Sequence, residues 1–390
     1  MSDRNNRKKI GIITYWITRS NYGTILQNYA LQTFLRSLGF ETFLIRTDIP
    51  LGCSRKDYYK SLLQKNGFFS LIGYFKSRLL CKIARKILSE NKNDEKRKFP
   101  DFVDKYLNPT KIFRSLSELE SDCPMADIYI AGSDQVWNTY GENYATISEQ
   151  IKAYLLCFAP DYAKKISCAA SFGKNSLAVE FENLFKQELS EFDFISCREK
   201  NGVEICRKLG FENAVLQQDP TMLLSSDEYK KTASKKLAPK EPYILLYLLG
   251  NSTDFSIRRL KQFAKSKNLD VVYVPANEAQ KINFYKKTYP TVEEWLGLYE
   301  NASAVVTNSF HGTVFSLIFN KPFLSVHQKG KFETQNVRVD SMLEDFGLKS
   351  RIFSGDFEKL FVPVDFGNVN KRLEEVRECS PFVEWIKSKK

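Results

Sequence analysis

Histidine is almost missing from this chain: His311 and His327 are the only two in 390 residues. None of the eight cysteines forms a CxxC pair, and no HExxH occurs. So few imidazoles and no paired thiols argue against a transition-metal site, and none is expected. P-loop, GxSxG and GxGxxG patterns are also lacking. That removes the usual signs of a triphosphate cradle, a nucleophile elbow and a dinucleotide site, and no bound cofactor is expected. No run approaches the roughly 18 apolar residues that a membrane span needs. The first ten residues, MSDRNNRKKI, contain no apolar signal core. Cys157, Cys168 and Cys197 sit inside apolar runs, where a free thiol behaves as a small buried hydrophobe. A reducing, cytoplasmic setting is therefore expected, with peripheral contact at the inner face of the membrane as the only membrane association.

What is abundant is positive charge. The net charge is +12, which favours anionic partners: phosphorylated ligands, an anionic bilayer or nucleic acid. Hydrophobic residues at 43% and charged residues at 27% place the chain among globular proteins, and its length suits two domains.

One stretch, residues 303–331, gathers both histidines. Ser303 to Thr307 is a β-branched strand, and Asn308 to Gly312 break it. Thr313 to Phe319 form an apolar helix, closed by Asn320 and Lys321-Pro322 before the next strand. His311 thus stands at the carboxyl end of a strand, where open α/β sheets bind ligands. The ordinary role of a lone histidine is structural. Its strand-end position, the small neighbours Ser309 and Gly312, and the nearby cations Lys329, Lys331, Arg338 and Arg351 point instead to acid–base chemistry on an anionic ligand. His327, at the end of an apolar strand, is assigned to packing.

The chain begins with a βαβ unit: a strand over 9–15, a helix opened by Thr24 and Gln27 at capping-box spacing, a stop at Gly39 and a strand over 40–45. The first loop, with Asn21 and Gly23 leading to Gln27, suits an anion at a helix start or is an ordinary turn. Ala126 to Ala131 is a strand that ends in GSDQVWN. There Ser133, Asp134 and Gln135 supply hydrogen-bonding groups and Trp137 a flat apolar face, a mixture suited to sugars; the bland alternative is a turn over a core tryptophan. Arg198 ends the strand FDFISC and suits bidentate contact with carboxylate or phosphate, or a salt bridge to Glu199. Residues 55–90 interleave basic and aromatic residues, as a surface on anionic lipid, a holder of single-stranded nucleic acid or a solvated helical face would. Residues 225–241 are polar and lysine-rich. They divide an N-terminal Rossmann-like domain (1–224, joined by a C-terminal helix over 368–390) from a second one (242–367). The fold class is α/β, two Rossmann-like domains facing a cleft.

The segments NYGTILQNYALQ (21–32), GSDQVWN (132–138), AASFG (169–173), CRE (197–199), QDPTMLL (218–224) and NSFHGTVFSLIFNKPF (308–323) together resemble the polysaccharide pyruvyl transferase family. Cys168 departs from the tyrosine common before AASFG. The resemblance implies a glycosyltransferase-B-like fold. It implies transfer of the pyruvyl group of phosphoenolpyruvate onto two hydroxyls of a sugar, as a ketal. Phosphoenolpyruvate would be co-substrate, and the acceptor a saccharide or lipid-linked saccharide of capsule, exopolysaccharide or cell-wall synthesis. The family's catalytic histidine falls on His311 and its donor-binding residues on Arg198 and Lys329, with Lys331 two residues beyond; Ser309 and Phe310 join them at the donor. The loops bearing Asn21, Gly23 and Gln27, and Ser133, Asp134, Gln135 and Trp137, would face donor or acceptor. The competing expectation is a nucleotide-sugar-dependent glycosyltransferase with the same layout. Nucleic acid is not an expected partner, because no recognisable nucleic-acid module accompanies the charge.

Overall fold

A computed structural model of the protein describes residues 7–18, 20–49, 95–139, 144–249, 256–276, 286–329, 333 and 336–390. The basic aromatic segment 55–90 and Lys331 lie outside them.

Two parallel sheets organise the chain. The first has the order β3-β2-β1-β4-β5, with β1 (Lys9–Ile13) at its centre, β2 (Glu41–Thr47) and β3 (Pro109–Phe113) on one side, and β4 (Ile128–Ala131) and β5 (Lys164–Ser167) on the other. Isolated bridges Ile166–Phe194 and Ala170–Cys197 carry it on to the short pair β6 (Ser196–Cys197) and β7 (Val215–Leu216). The second sheet has the order β11-β10-β8-β9, from β8 (Tyr243–Leu248), β9 (Asp270–Pro275), β10 (Ala304–Thr307) and β11 (Phe323–Ser325). All six residues of β8 are buried, as expected for a parallel strand covered on both faces.

The first domain's helices are α1 (Tyr22–Ser37), α2 (Phe99–Tyr106), α3 (Leu116–Asp122), α4 (Tyr144–Tyr154), α5 (Val179–Leu189) and α6 (Lys200–Lys208). A short α7 (Ser226–Lys230) lies between the sheets. Helices α8 (Ile257–Ser266), α9 (Val292–Asn301), α10 (Phe310–Ile318) and α11 (Asn336–Asp345) belong to the second domain, and α12 (Phe366–Cys379) and α13 (Pro381–Lys387) end the chain. Pro381 divides the terminal helix into two. Its missing N–H is tolerated in the first turn of α13 but not inside a continuous helix. These helices return to the first domain: Arg377 donates to the carbonyls of Met222 and Leu224, and the Phe382 N–H to Gln217 Oε1.

Helix α1 opens three residues earlier than its sequence suggests. Asn21 caps it by accepting from the Gly23 N–H, so Thr24 and Gln27 are free for other partners. One hydrophobic cluster runs through both domains, from Ile10 and Leu26 to Trp295, Val314 and Phe382. The carboxyl ends of β1, β4 and β10 are thereby held facing a common cleft. Among the described residues, no helix is long and apolar enough to cross a membrane.

Candidate active site

The centre of the cleft is His311. Helix α10 begins at Phe310, not at Thr313, because Ser309 caps it: its hydroxyl accepts from the Gly312 N–H at 3.2 Å. His311 therefore stands in the first helical turn and not in an open loop. Gly312 permits the tight strand-to-helix corner, since a Cβ there would lie 2.2 Å from Thr307 Oγ1.

His311 is only 6% exposed. On one side it lies against Gly23 at the start of α1, in the other domain; a Cβ at Gly23 would sit 2.0 Å from His311 Nδ1. On the other side Nε2 is 3.4 Å from Asp219 Oδ2, close enough for ion pairing but outside hydrogen-bond geometry.

Asp219 ties the site together. Its Oδ1 accepts from the Thr221 N–H at 3.0 Å and the Thr221 hydroxyl at 2.8 Å. Its Oδ2 accepts from Ser133 Oγ and from Arg198 Nη1, both at 3.1 Å. Burial opposes its charge, but the facing His311 and Arg198 and the Thr221 N–H outweigh burial and hold the carboxyl well below the usual range. In the sequence this residue stands only within the QDPTMLL segment, with no role assigned to it. The available signal was an aspartate at a strand's carboxyl end followed by proline, which leaves its side chain to cap the next turn.

Arg198 follows β6. Its Nε donates to Glu199 Oε1 at 3.0 Å, so the salt-bridge alternative is real. Its guanidinium also lies 5.3 Å from the centre of the Phe310 ring, across the domain boundary. Burial disfavours its charge, yet Glu199 and Asp219 raise its pKa above the ordinary value. With the side chain 2% exposed, Nη2 is left without a hydrogen-bond partner.

The two polar loops mainly bind each other. Thr24 donates to Asp134 Oδ2 at 3.0 Å, Gln27 to Thr14 Oγ1 at 3.1 Å, and Thr14 to the Ser133 carbonyl at 2.6 Å. Asp134 adopts φ +80° and accepts from the Gln135 N–H, while Gln135 Oε1 accepts from Asn138. Ser133 and Gly23 thus touch the centre, and Asn21, Gln27, Asp134 and Gln135 frame it. The expectation for Trp137 is not met. Its indole is fully buried beside Phe172, Phe185 and Phe192 and donates to the Tyr154 carbonyl, so it offers no face to a ligand.

Beside Arg198 and Phe310 opens a cavity of about 570 Å³, whose walls come from both domains. Lys329 is exposed and is not among the lining residues. His327 is not core packing: it is about a third exposed, with Nε2 2.7 Å from Asp340 Oδ1 on α11. Among the described residues, no group of three or more histidine, cysteine or acidic side chains could hold a metal ion.

The sequence profile of the family described as polysaccharide pyruvyl transferase matches residues 21–327. No curated protein matches the chain. Solved structures with a similar chain path include a UDP-GlcNAc 2-epimerase from Methanocaldococcus jannaschii, 12% identical, with a TM-score of 0.46 over 95% of this chain and 93% of that one. The glycosyltransferase SnogD from Streptomyces nogalater is also 12% identical, with a TM-score of 0.40 over 98% of both chains.

Proposed function

Because the chain belongs to the polysaccharide pyruvyl transferase family, we propose that it moves the pyruvyl group of phosphoenolpyruvate onto two hydroxyls of a saccharide, leaving a pyruvate ketal and inorganic phosphate. The observation that supports this most is His311 at a helix start, facing across the domain boundary the carboxylate of Asp219, which also holds Arg198.

In this reading His311 delivers a proton to the methylene carbon of phosphoenolpyruvate, and that carbon becomes a methyl group. Cationic character develops at C2, where one sugar hydroxyl adds and gives up its proton. A second hydroxyl then forms a bond to C2 as the C2–O bond to phosphate breaks. Of the two hydroxyl protons released, one balances that delivered to carbon and the other leaves with phosphate. A positioned acid of this kind contributes roughly 10²–10⁴-fold in rate.

Asp219 supplies the negative charge that faces the imidazole. Arg198 holds donor oxygens through Nη2, with Ser309 and Phe310 beside it. In the structure His311 is covered by Gly23 and Asp219. The acceptor in this proposal is a lipid-linked saccharide of capsule, exopolysaccharide or cell-wall synthesis, met at the inner face of the cytoplasmic membrane.

The test is phosphorus NMR of phosphoenolpyruvate with a panel of lipid-linked or nitrophenyl sugars. Acceptor-dependent phosphate release is expected from the native protein, and at least a hundredfold less from a folded His311→Ala variant. Normal release by that variant would overturn the role of His311. Thermal stabilisation by nucleotide sugars but not by phosphoenolpyruvate would overturn the donor.

A further inference from the structure

The cavity beside Arg198 has a second arginine, and α11 is bolted in place to present it. We propose that Arg338 is a donor-binding residue that grips the phosphate of phosphoenolpyruvate from the second domain, opposite Arg198 from the first. This inference rests on the phosphoenolpyruvate reading.

Both arginines line the same cavity. Arg198 brings a nitrogen that is buried and has no protein partner. A guanidinium nitrogen in that state costs free energy unless a ligand oxygen accepts from it. Phe310 and Lys200, the first residues of α10 and α6, also line the cavity. Two helix N-termini thus border it, and the positive ends of their dipoles favour an anion.

The placement of Arg338 follows from hydrogen bonds around it. Asn336 Oδ1 accepts from the Gln328 N–H at 2.8 Å, and Asn336 Nδ2 donates to the Gln328 carbonyl at 2.9 Å. The Gln328 side chain donates in turn to the Asn308 carbonyl at 3.2 Å, just before Ser309 and His311. The His327–Asp340 pair fixes α11 one turn further on. The position of Arg338 is therefore coupled to the strand end that carries His311.

Glu199 accepts from Arg198 and Ser171, Asp340 faces His327, Glu344 faces Lys349, and Asp345 faces Lys200 and Gln218. Burial and the nearby Arg198 lower the Arg338 pKa from its ordinary value, while Glu199, Asp134 and Asp219 act against this. An anion between the two arginines relieves both the desolvation and the repulsion.

The test compares the native chain with Arg338→Gln and Arg338→Lys. Calorimetric titration would use inorganic phosphate, phosphoenolpyruvate and pyruvate, and steady-state kinetics would follow phosphate release. Loss of a charge-assisted contact predicts phosphate and phosphoenolpyruvate binding about ten- to a hundredfold weaker in Arg338→Gln. Pyruvate binding should be little changed, and Arg338→Lys should restore part of the loss. Far-UV circular dichroism checks folding. Native-like binding of phosphate by a folded Arg338→Gln protein overturns the assignment, as does failure of the native protein to bind phosphate. If phosphate binds and depends on Arg338 but phosphoenolpyruvate is not turned over, the anion site stands and the donor reading falls. If phosphoenolpyruvate turns over equally in both proteins, the donor reading stands and Arg338 falls.

Discussion

Asp219 shows how much of the site rests on one buried carboxylate. It is fully buried and serves Thr221, Ser133, Arg198 and His311 at once. Replacing it with asparagine leaves Arg198 and His311 without their shared anion and should cost about 3 kcal/mol at neutral pH. The pH dependence has a definite sign. An aspartate in the unfolded chain takes up its proton near pH 4, whereas Asp219 in the folded protein is held lower. Its contribution to stability is present above about pH 4 and is lost as pH falls through the folded pKa. Between about pH 5 and pH 3 the native protein should lose stability faster than Asp219→Asn, read as Tm against pH. Parallel curves would show that the carboxylate does not carry this charge. The same residue marks what could be read beforehand. His311 was legible because histidine is scarce and a strand ends beside it. Asp219 was not, because nothing in its own stretch reveals that the chain returns it to Ser133 and Arg198, 86 and 21 positions earlier. Arg338 was visible only as one nearby cation, since its facing partner lies in the other domain.

At the scale of elements, buried strands could be read and boundaries shifted where side chains cap helices. β8 and β10 announce themselves by β-branched and aliphatic runs, and Thr291 and Glu294 form the capping box that starts α9. Helices α1 and α10 start earlier than their apolar patterns because Asn21 and Ser309 act as caps ahead of them. Composition alone also understates the segment between the sheets. Residues 225–241 are polar, but Tyr229 is fully buried and donates to the Thr221 carbonyl, and the Ser234 N–H donates to the Glu293 carbonyl. That packing depends on Gly297 in α9, where an added Cβ would lie 1.9 Å from the Ser234 carbonyl oxygen. Since a backbone atom cannot swing aside as a side chain does, Gly297→Ala should destabilise the protein by about 1–3 kcal/mol, despite alanine's better helix propensity. Urea unfolding would show a lower midpoint with an unchanged slope. An unchanged midpoint would mean that α9 and this segment are not in close contact.

At the scale of the molecule, the two sheets do not behave as separate bodies joined by a tether. Arg97, fully buried, donates at 2.8 Å to the Tyr22 hydroxyl in its own domain and at 2.6 Å to the Pro275 carbonyl at the end of β9 in the other. Tyr22 donates across the boundary to the Pro290 carbonyl and stacks on Trp295 at 5.1 Å. The next residue is Gly23, against His311. The interdomain contact and the candidate catalytic geometry are therefore held by the same few side chains. Two consequences follow from this arrangement and the shared hydrophobic cluster. Unfolding of the native protein should be one calorimetric transition, with van't Hoff and calorimetric enthalpies in agreement. Arg97→Ala removes a large buried side chain and leaves two acceptors without their donor, a loss of about 3 kcal/mol or more. It should lower Tm and also phosphate release, although Arg97 lies outside the reacting centre, because Tyr22 and Gly23 lose their support against α10. Two well-separated transitions in the native protein would show that the domains fold independently. A variant with lowered Tm and full activity would show that the interdomain lock and the placement of His311 are separate.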